Sequence, residues 1–337
     1  MKTKTLKDVA EALNISITTV SKALNNYPDI SAATRKKVLD YAQSIDFTPN
    51  TFATSLRKQE SKIVGIIIPK LAHYFFSMLL QGIIEKAEEH NYLVIVLKSN
   101  SYELEKIHIR RLLKQKVDGV FLSLAQDSHD VSHLEEIWKS GTVLIQYDRV
   151  SKIAKSSKIV INDRGAASQA VQHLIDSGKK KIAHLRGGLL PQVAIDRFIG
   201  YRKTLEKNGI EYQSDYVEIC EKGNENQGYE AAKKLWSRHP EINGIFAHTD
   251  MTALGAIKFL KEQKIRIPDQ VGVVGFSNWN LTALTSPSLT TINQPGKKMG
   301  KAIFTQFLKD LKALKAKENI DYSTTVIKTS LIKRESS

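Results

Sequence analysis

Small hydroxyl side chains and one lysine crowd a short segment, residues 16–25, near the start of this 337-residue chain. Hydroxyls that begin a helix can cap it or donate hydrogen bonds to phosphate oxygens. Helical spacing places Ile17, Thr18 and Lys22 on the outward face of that helix, the half that a recognition helix presents to base edges. The chemistry predicted is hydrogen bonding to DNA. The hydroxyl residues are Ser16, Thr18, Thr19 and Ser21.

Three predicted helices position these side chains. In the first, apolar residues recur at helical spacing; they are Leu6, Val9, Ala10 and Leu13. A short turn leads to the second helix, about 17–25, with Val20, Ala23 and Leu24 facing inward. The pattern indicates a helix-turn-helix, although a helical hairpin that merely packs would look similar.

A third helix is predicted from Ser31, a suitable N-cap, to about Phe47. Its apolar stripe is expected to contain Val38, Leu39, Ala42 and Ile45. A polar segment, 47–61, follows, with Pro49 at a helix-start position.

Charge supports a nucleic-acid partner only weakly. The formal net charge is +15, but residues 1–58 carry nine Lys and Arg against five Asp and Glu, a surplus of four. The other eleven charges are spread over 279 residues, so charge alone does not decide the function.

Composition favours a protein of the reducing cytoplasm. Cys220 is the only cysteine, which excludes an internal disulfide. No apolar run reaches the length of a membrane span, and the first residues, MKTKTLKD, lack the apolar region of a secretory signal. We therefore expect a cytoplasmic, nucleoid-associated protein without a membrane partner.

From residue 62 onward, about ten strand-like runs alternate with amphipathic helices. This alternation predicts parallel sheets that are covered on both faces, and so many strands favour two Rossmann-like subdomains over one sheet. The predicted fold is an N-terminal all-α helix-turn-helix head followed by an α/β core of two such parallel-sheet subdomains.

Ligands of such sheets lie at the carboxyl ends of the strands, where this chain has aromatic, acidic, hydroxyl, amide and arginine side chains. That mixture suits a hydroxyl-rich ligand such as a sugar. Three alternatives stay open: Phe75 or Phe76 as plain core, Asp250 as a helix N-cap, and an ion pair between Asp148 and Arg149. The candidate residues are Phe75, Phe76, Ser123, Asp148, Arg197, Thr249, Asp250, Ser277, Trp279 and Gln294.

Enzyme motifs are missing from the sequence. There is no G-x-S-x-G elbow, Walker loop, H-E-x-x-H or G-x-G-x-x-G, and the nine histidines lack metal-ligand spacing. We expect no catalysis, no metal and no cofactor. A transport-type solute-binding protein is the other alternative, but it would need a signal sequence and no DNA-binding head.

Several segments resemble the lactose-repressor (LacI/GalR) family of bacterial transcription regulators, in the order of that family and over nearly the whole chain. They are LKDVA, S-x-TTVSKALN, P-N-x-x-A-x-SL, VGIIIP, RFIGY, ALGA, VGVVGF and SPSLTTINQP. The resemblance implies a homodimer on a pseudo-palindromic operator and a core like that of periplasmic sugar-binding proteins. It also implies that a small-molecule effector, a sugar or sugar derivative, controls repression or, in some members, activation.

The resemblance assigns base contacts to Ile17, Thr18 and Lys22, with Lys22 as a nonspecific phosphate contact left open. Phosphate contacts are expected from Ser16, Thr19, Ser21, Asn25, Ser31 and Thr34. In the family, a hinge helix folds on DNA and wedges a leucine into the minor groove. Here Leu56 would be that wedge, with Arg57 beside it.

The implied domains are a head at 1–48, a hinge at 49–61 and an effector-binding and dimerisation domain at 62–337. Three crossovers would divide the last into an N-subdomain (about 62–161 and 292–323) and a C-subdomain (about 162–291 and 324–337). Arg197 matches the ligand-binding arginine of the family. Ser277, Thr249 and the loop 221–224 depart from its usual residues, so no relative's effector can be transferred.

Overall fold

The computed structural model describes residues 5–47 and 60–337, and the chain divides into two compact units between Ser61 and Lys62. The predicted hinge segment, with Leu56 and Arg57, lies outside the described residues.

The described part of the first unit contains three helices, α1 (Leu6–Leu13), α2 (Ile17–Leu24) and α3 (Ala32–Ser44). Thr5 and Asp8 form a capping box at the start of α1, and Asn14 ends that helix in the left-handed conformation. Ser16 and Ser31 cap α2 and α3 by accepting hydrogen bonds from backbone N–H groups. Local sequence therefore determines where each helix begins.

A small apolar core holds these helices together, and the predicted inward faces of α1 and α2 are confirmed. Its fully enclosed members are Val9, Ala10, Val20, Ala23 and Val38. One prediction for α3 is wrong, because Leu39 is 47% exposed. It lies about 100° around the helix from Val38, outside the narrow stripe that faces α1 and α2.

The second unit contains two six-stranded sheets. The first sheet is parallel throughout, in the order β11-β5-β4-β3-β1-β2. Its strands are β1 (Ile63–Ile68), β2 (Leu93–Lys98), β3 (Gly119–Leu122), β4 (Val143–Tyr147), β5 (Ser157–Ile161) and β11 (Thr324–Ile327).

The second sheet has the order β12-β10-β9-β8-β6-β7, and only β12 runs antiparallel to its neighbour. Its strands are β6 (Ile182–Arg186), β7 (Val217–Ile219), β8 (Gly244–Ala247), β9 (Gly272–Ser277), β10 (Thr290–Asn293) and β12 (Ser330–Ile332). In both sheets the strand order reverses beside the first strand, which is where doubly wound sheets form a ligand crevice.

Helices cover both faces of each sheet, as the alternating pattern predicts. Aromatic residues of the last helix pack under the first sheet, where Phe304 and Phe307 contact Phe121 and Tyr92. The helices are α4 (Tyr74–Glu89), α5 (Tyr102–Lys114), α6 (Glu135–Lys139), α7 (Asp163–Asp176), α8 (Gln192–Lys207), α9 (Glu225–Arg238), α10 (Asp250–Glu262) and α11 (Gly296–Lys315).

The chain crosses between the two sheets three times, and the last crossing differs from the prediction. The first two crossings follow β5 and β10. The third lies between β11 and β12, because β11 pairs with β5 of the first sheet and β12 pairs with β10 of the second. Residues 324–327 thus belong with the N-subdomain rather than the C-subdomain, because hydrogen bonding to β5 extends the parallel ladder.

Within residues 5–47 and 60–337, no helix has both the length and the apolar content needed to cross a bilayer.

Candidate DNA-reading helix and ligand cleft

The start of α2 presents the residues predicted to read bases. Ile17 is 48% exposed, and Thr18 beside it is also exposed. Lys22, one turn later, forms an ion pair with Asp29 in the loop after α2. The hydrogen bond from Lys22 lowers the pKa of Asp29 below its ordinary value. Lys22 must therefore exchange this carboxylate for any acceptor on DNA.

The hydroxyls predicted to contact phosphate form two local pairs at the N-termini of α2 and α3. The hydroxyl oxygens of Ser16 and Thr19 lie 2.8 Å apart, and that of Ser31 donates to that of Thr34 across 2.9 Å. The hydroxyls of Ser16 and Ser31 cap these two helices. A helix N-terminus carries backbone N–H groups without an intrahelical partner, so both ends are suited to anionic phosphate. Asn25 lies after α2, where its amide donates to the carbonyl oxygen of Ser21 across 2.7 Å.

In the second unit, a cleft lies between the carboxyl edges of the two sheets. It contains about 660 Å³ of empty space, counting the part that is open to solvent. The N-subdomain contributes residues that follow β1, β3 and β4. The C-subdomain contributes residues that follow β6, β7, β8 and β10, together with the last residue of β9. Its charged and polar lining consists of Lys70, His73, Gln126, Asp148, Arg149, Arg197, Glu221, Lys222, His248, Thr249, Ser277 and Gln294.

Arg197 occupies the floor of this cleft. Its Nε donates to Oδ1 of Asp163 and its Nη1 donates to the carbonyl oxygen of His248, each across 2.7 Å. The guanidinium lies 3.6 Å from the centre of the Phe276 ring. These contacts hold the planar group in one orientation, so the helix α8 presents a positioned donor to a ligand.

Asp148 and Arg149 follow β4 on the opposite wall. Burial raises the pKa of Asp148, although the nearby charges of Arg149 and Arg197 act against this. Burial also lowers the pKa of Arg149. The ion pair between them that the sequence left open is not formed, and Nε of Arg149 is buried without a hydrogen-bond partner among the described residues.

Ser277 and Gln294 meet at the edge of the second sheet. The hydroxyl of Ser277 donates to Oε1 of Gln294 across 2.7 Å, and Ser277 has a φ of 120°. Such a φ is strained for a residue with a side chain, and strain of this kind concentrates at binding sites. This position therefore supplies a hydroxyl rather than a charge to the cleft.

Thr249 and Asp250 begin α10 but have different roles. Thr249 is the N-cap, and its hydroxyl accepts from the backbone N–H of Thr252, so the alternative that Asp250 caps the helix is wrong. Asp250 is fully buried behind the cleft and accepts from the backbone N–H of Trp279 across 2.8 Å and from the hydroxyl of Thr291. Burial raises its pKa to about 6. Asp250 therefore supports the loop after β9.

Three contacts join the two walls of the cleft. Lys70 donates to the carbonyl oxygen of Lys222 across 2.6 Å, and Gln126 donates to that of Glu221 across 3.1 Å. The ring of His73 meets the ring of Trp279 edge-on, with 4.9 Å between their centres. The loop 221–223 and the loop after β9 are thus held against the N-subdomain.

The two histidines of the cleft are neutral at physiological pH. Burial, followed by the positive charges of Lys70, Arg197 and Arg149, lowers the pKa of His73 to about 3. Burial and Arg197 lower the pKa of His248 well below its ordinary value. His248 also has its Nδ1 3.1 Å from the carbonyl oxygen of Leu185. Neither ring adds charge to the cleft.

Both units match known families. Residues 61–335 match the description "periplasmic binding proteins and sugar binding domain of LacI family", and residues 5–50 match "bacterial regulatory proteins, lacI family". This chain belongs to the LacI family.

Two curated relatives of this LacI-family chain are similar to it over most of their length. Catabolite control protein A of Priestia megaterium is 30% identical over 293 residues, which cover 86% of this chain and 87% of that protein. The HTH-type transcriptional regulator DegA of Bacillus subtilis (strain 168) is 31% identical over 302 residues, which cover 89% of each. The family resemblance expected from the sequence motifs is confirmed.

Solved structures of transcriptional regulators have the same fold. The lac repressor dimer bound to operator and the anti-inducer ONPF superposes with a TM-score of 0.88 at 24% identity, over 99% of each chain. A complex of the transcriptional regulator CelR with cellobiose superposes with a TM-score of 0.74 at 24% identity, over 99% of this chain and 100% of that one. The predicted fold class is confirmed.

The LacI-family cleft brings together most of the effector residues predicted from the sequence. Phe75 and Phe76 line the cleft and also belong to the core beneath α4. Each residue is thus both a candidate ligand contact and a core residue. Ser123, Asp250 and Trp279 do not line the cleft and lie behind or beside it. The predicted residues that line it are Phe75, Phe76, Asp148, Arg197, Thr249, Ser277 and Gln294.

The lining residues that were not among the sequence candidates include Lys70, Gln126 and His248. Each follows a strand of the sheet edge (β1, β3 and β8), so the rule that ligands lie at carboxyl ends could have included them. Lys70 and Gln126 were missed because they lie two and four residues beyond their strands.

Proposed function

We propose that this LacI-family chain is a transcription repressor that binds a pseudo-palindromic DNA operator as a homodimer and is controlled by a sugar or sugar derivative in the cleft. The observation that supports DNA reading most directly is the exposure of Ile17 and Thr18 at the start of α2, one turn before Lys22. A single α2 reads only a few base pairs, so two copies are needed for a specific site.

In this proposal the outward residues of α2 discriminate bases. Lys22 leaves Asp29 and donates to guanine O6 and N7, Thr18 bonds a base edge, and Ile17 packs on a thymine methyl group. The remaining polar residues at the starts of α2 and α3 bind phosphates and set the register. They are Ser16, Thr19, Ser21, Asn25, Ser31 and Thr34.

The effector part of the proposal depends on the cleft. Arg197 is held by Asp163 with its guanidinium facing the ligand space, and Asp148 offers an acceptor from the opposite wall. Phe75 and Phe76 provide apolar ring surface, while Ser277, Gln294 and Thr249 provide hydroxyl and amide groups. Charged and polar groups that converge around aromatic surface are typical of sites for hydroxyl-rich ligands.

Control of DNA binding requires that the ligand prefer one arrangement of the two subdomains. The contacts of Lys70 and Gln126 with the loop 221–223 define a closed arrangement, which a ligand would stabilise or prevent. We propose that Leu56 and Arg57, which lie outside the described residues, convert that change into a change of minor-groove contact.

An activator of the same family is the alternative, because the cleft geometry does not fix the regulatory sign. We also propose that the chain has no catalytic activity and works in the cytoplasm at the nucleoid. The family match supports both points, since its members are described as bacterial regulatory proteins.

Selection from random double-stranded DNA tests the proposal. We expect the full chain to enrich an inverted repeat, and the affinity for that repeat to fall steeply as salt concentration rises. Lys22→Ala should relax discrimination at one base of each half-site by about 1–3 kcal/mol. A loss that is equal for all sequences would instead assign Lys22 to phosphate. Failure to enrich any repeat would contradict the proposed function.

A further inference from the structure

The deep part of the cleft carries more positive charge than its carboxylates balance. Arg197 is matched by Asp163. Lys70 donates to a backbone carbonyl oxygen rather than to a carboxylate. Asp148 is then the one acidic side chain of the inner lining, and its charge interacts with those of Arg149 and Arg197. Glu221 and Lys222 lie at the exposed rim and offset each other. The inner wall therefore keeps a surplus of about one positive charge.

Arg149 is the clearest source of this surplus. It lines the cleft directly after β4, and its buried Nε has no hydrogen-bond partner among the described residues. A buried donor without an acceptor is unfavourable, so such groups in native proteins usually meet a ligand or water. The acceptors that suit a guanidinium best are carboxylate and phosphate oxygens, which it binds through two parallel hydrogen bonds.

The surroundings of His73 show the same positive field. The pKa of this ring is lowered first by burial and then by Lys70, Arg197 and Arg149. These three cations therefore act on one point of the cleft from both subdomains. A neutral ligand would leave the surplus of about one positive charge uncompensated, whereas an anion would lower the free energy of the closed cleft.

We infer that the ligand of this cleft is an anionic sugar derivative whose carboxylate or phosphate is bound by Arg149, while Asp148 accepts a hydrogen bond from a hydroxyl of the same molecule. The inference rests on the proposed function, since it names the chemical class of the effector. Sugar acids and sugar phosphates share the required chemistry, and a neutral sugar does not have it.

Matched ligands test this inference. Thermal unfolding of the full chain would be measured with neutral hexoses and pentoses and with the corresponding uronates, aldonates and phosphates, for example glucose against glucuronate, gluconate and glucose 6-phosphate. We expect an acidic member to raise the unfolding temperature and its neutral parent to have little effect. Carboxylates and phosphates in separate arms distinguish the two sources of the anion.

Variants connect the response to Arg149. Arg149→Gln should weaken binding of the acidic ligand by about ten- to a hundredfold, the range for a hydrogen bond to a charged group. Arg149→Lys should retain part of the affinity, because it keeps the charge and loses the two parallel bonds. Arg202→Gln is the matched control, since Arg202 is exposed and pairs with Glu206 on α8 outside the cleft lining.

The inference is overturned if a neutral sugar stabilises the protein as strongly as its acid or phosphate, or if Arg149→Gln binds the acidic ligand with unchanged affinity. It is also overturned if no acidic member of the panel raises the unfolding temperature. Each outcome leaves the DNA-binding part of the proposed function standing, because that part is decided by enrichment of an inverted repeat.

Discussion

Arg197 on α8 and Asp163 on α7 form a buried ion pair in which Nε donates to Oδ1 across 2.7 Å. Burial raises the pKa of Asp163 to about 6 even though Arg197 opposes the shift. The pair therefore holds the cleft arginine in place, and the burial of the Asp163 carboxylate away from water costs free energy. The two partners depend on each other for their stability in the interior.

Arg197→Ala should lower the free energy of unfolding by about 3–5 kcal/mol, because it leaves Asp163 buried without its cation. The same variant should lose the ligand response and retain operator affinity at temperatures where it is folded. Calorimetry and DNA titration measure the two effects. Arg164→Ala is the control, because Arg164 pairs with Asp196 near the surface and should cost less than about 1 kcal/mol. Retained ligand affinity in Arg197→Ala would place the ligand elsewhere.

Asp29→Asn should strengthen operator binding, because it frees Lys22 and removes a negative charge from the DNA-reading unit. The expected gain is about two- to fivefold, the scale of a single exposed ion pair. Fluorescence anisotropy with a selected operator measures it. Asp40→Asn removes the same charge from the exposed face of α3 without touching Lys22. Equal gains in both variants would show that only net charge matters.

Asp250→Asn should change how stability depends on pH. The folded pKa of about 6 lies above the ordinary value of 3.8, so the folded state binds the proton more tightly. The stabilisation from this group is complete below about pH 4 and is lost as pH rises through about 6. Asparagine does not titrate, so the variant does not lose this stabilisation. The free energy of unfolding of the variant minus that of the parent should therefore rise by about 3 kcal/mol between pH 4 and pH 7. Chemical denaturation across that range measures the difference; a difference that does not vary with pH contradicts the prediction.

Gln126→Ala should loosen the loop 221–223 without unfolding the protein. The lost hydrogen bond to the carbonyl oxygen of Glu221 is worth about 0.5–1.5 kcal/mol, which is about a two- to twelvefold change in an opening equilibrium. Hydrogen exchange at the amide of Gly223, which donates to the carbonyl oxygen of Cys220, would report it. Gln115→Ala is the control at an exposed position after α5. If the Gly223 amide is equally protected from exchange in both variants, the hydrogen bond from Gln126 does not hold the loop 221–223 in place.

Sequence periodicity predicted the two sheets because their strands are short apolar runs between amphipathic helices. It did not predict that Thr324–Ile327 belongs to the first sheet. That strand and Ser330–Ile332 are short and separated by two residues, and neither contains a signal for which sheet it joins. Pairing with β5 or β10 joins residues that are far apart in the sequence, so it is a long-range property.

The rule for carboxyl ends of strands predicted the place of the cleft but not the direction of every side chain. Asp148 and Arg149 are neighbours in sequence, and the local pattern does not show that Nε of Arg149 lacks a hydrogen-bond partner among the described residues. Asp250 turns away from the cleft because the backbone of Trp279, 29 residues further along, provides its donor. Such partners are invisible in a local pattern.

The three crossings of the chain have a consequence for synthesis on the ribosome. The first sheet needs β11 and the second needs β12, so both sheets are completed only by the last strands to emerge, whereas every contact of the α1–α3 core is made within the first 47 residues. Domains generally fold as they are synthesised, N-terminal first. The nascent chain therefore has a folded DNA-reading unit well before it has a cleft that could sense anything.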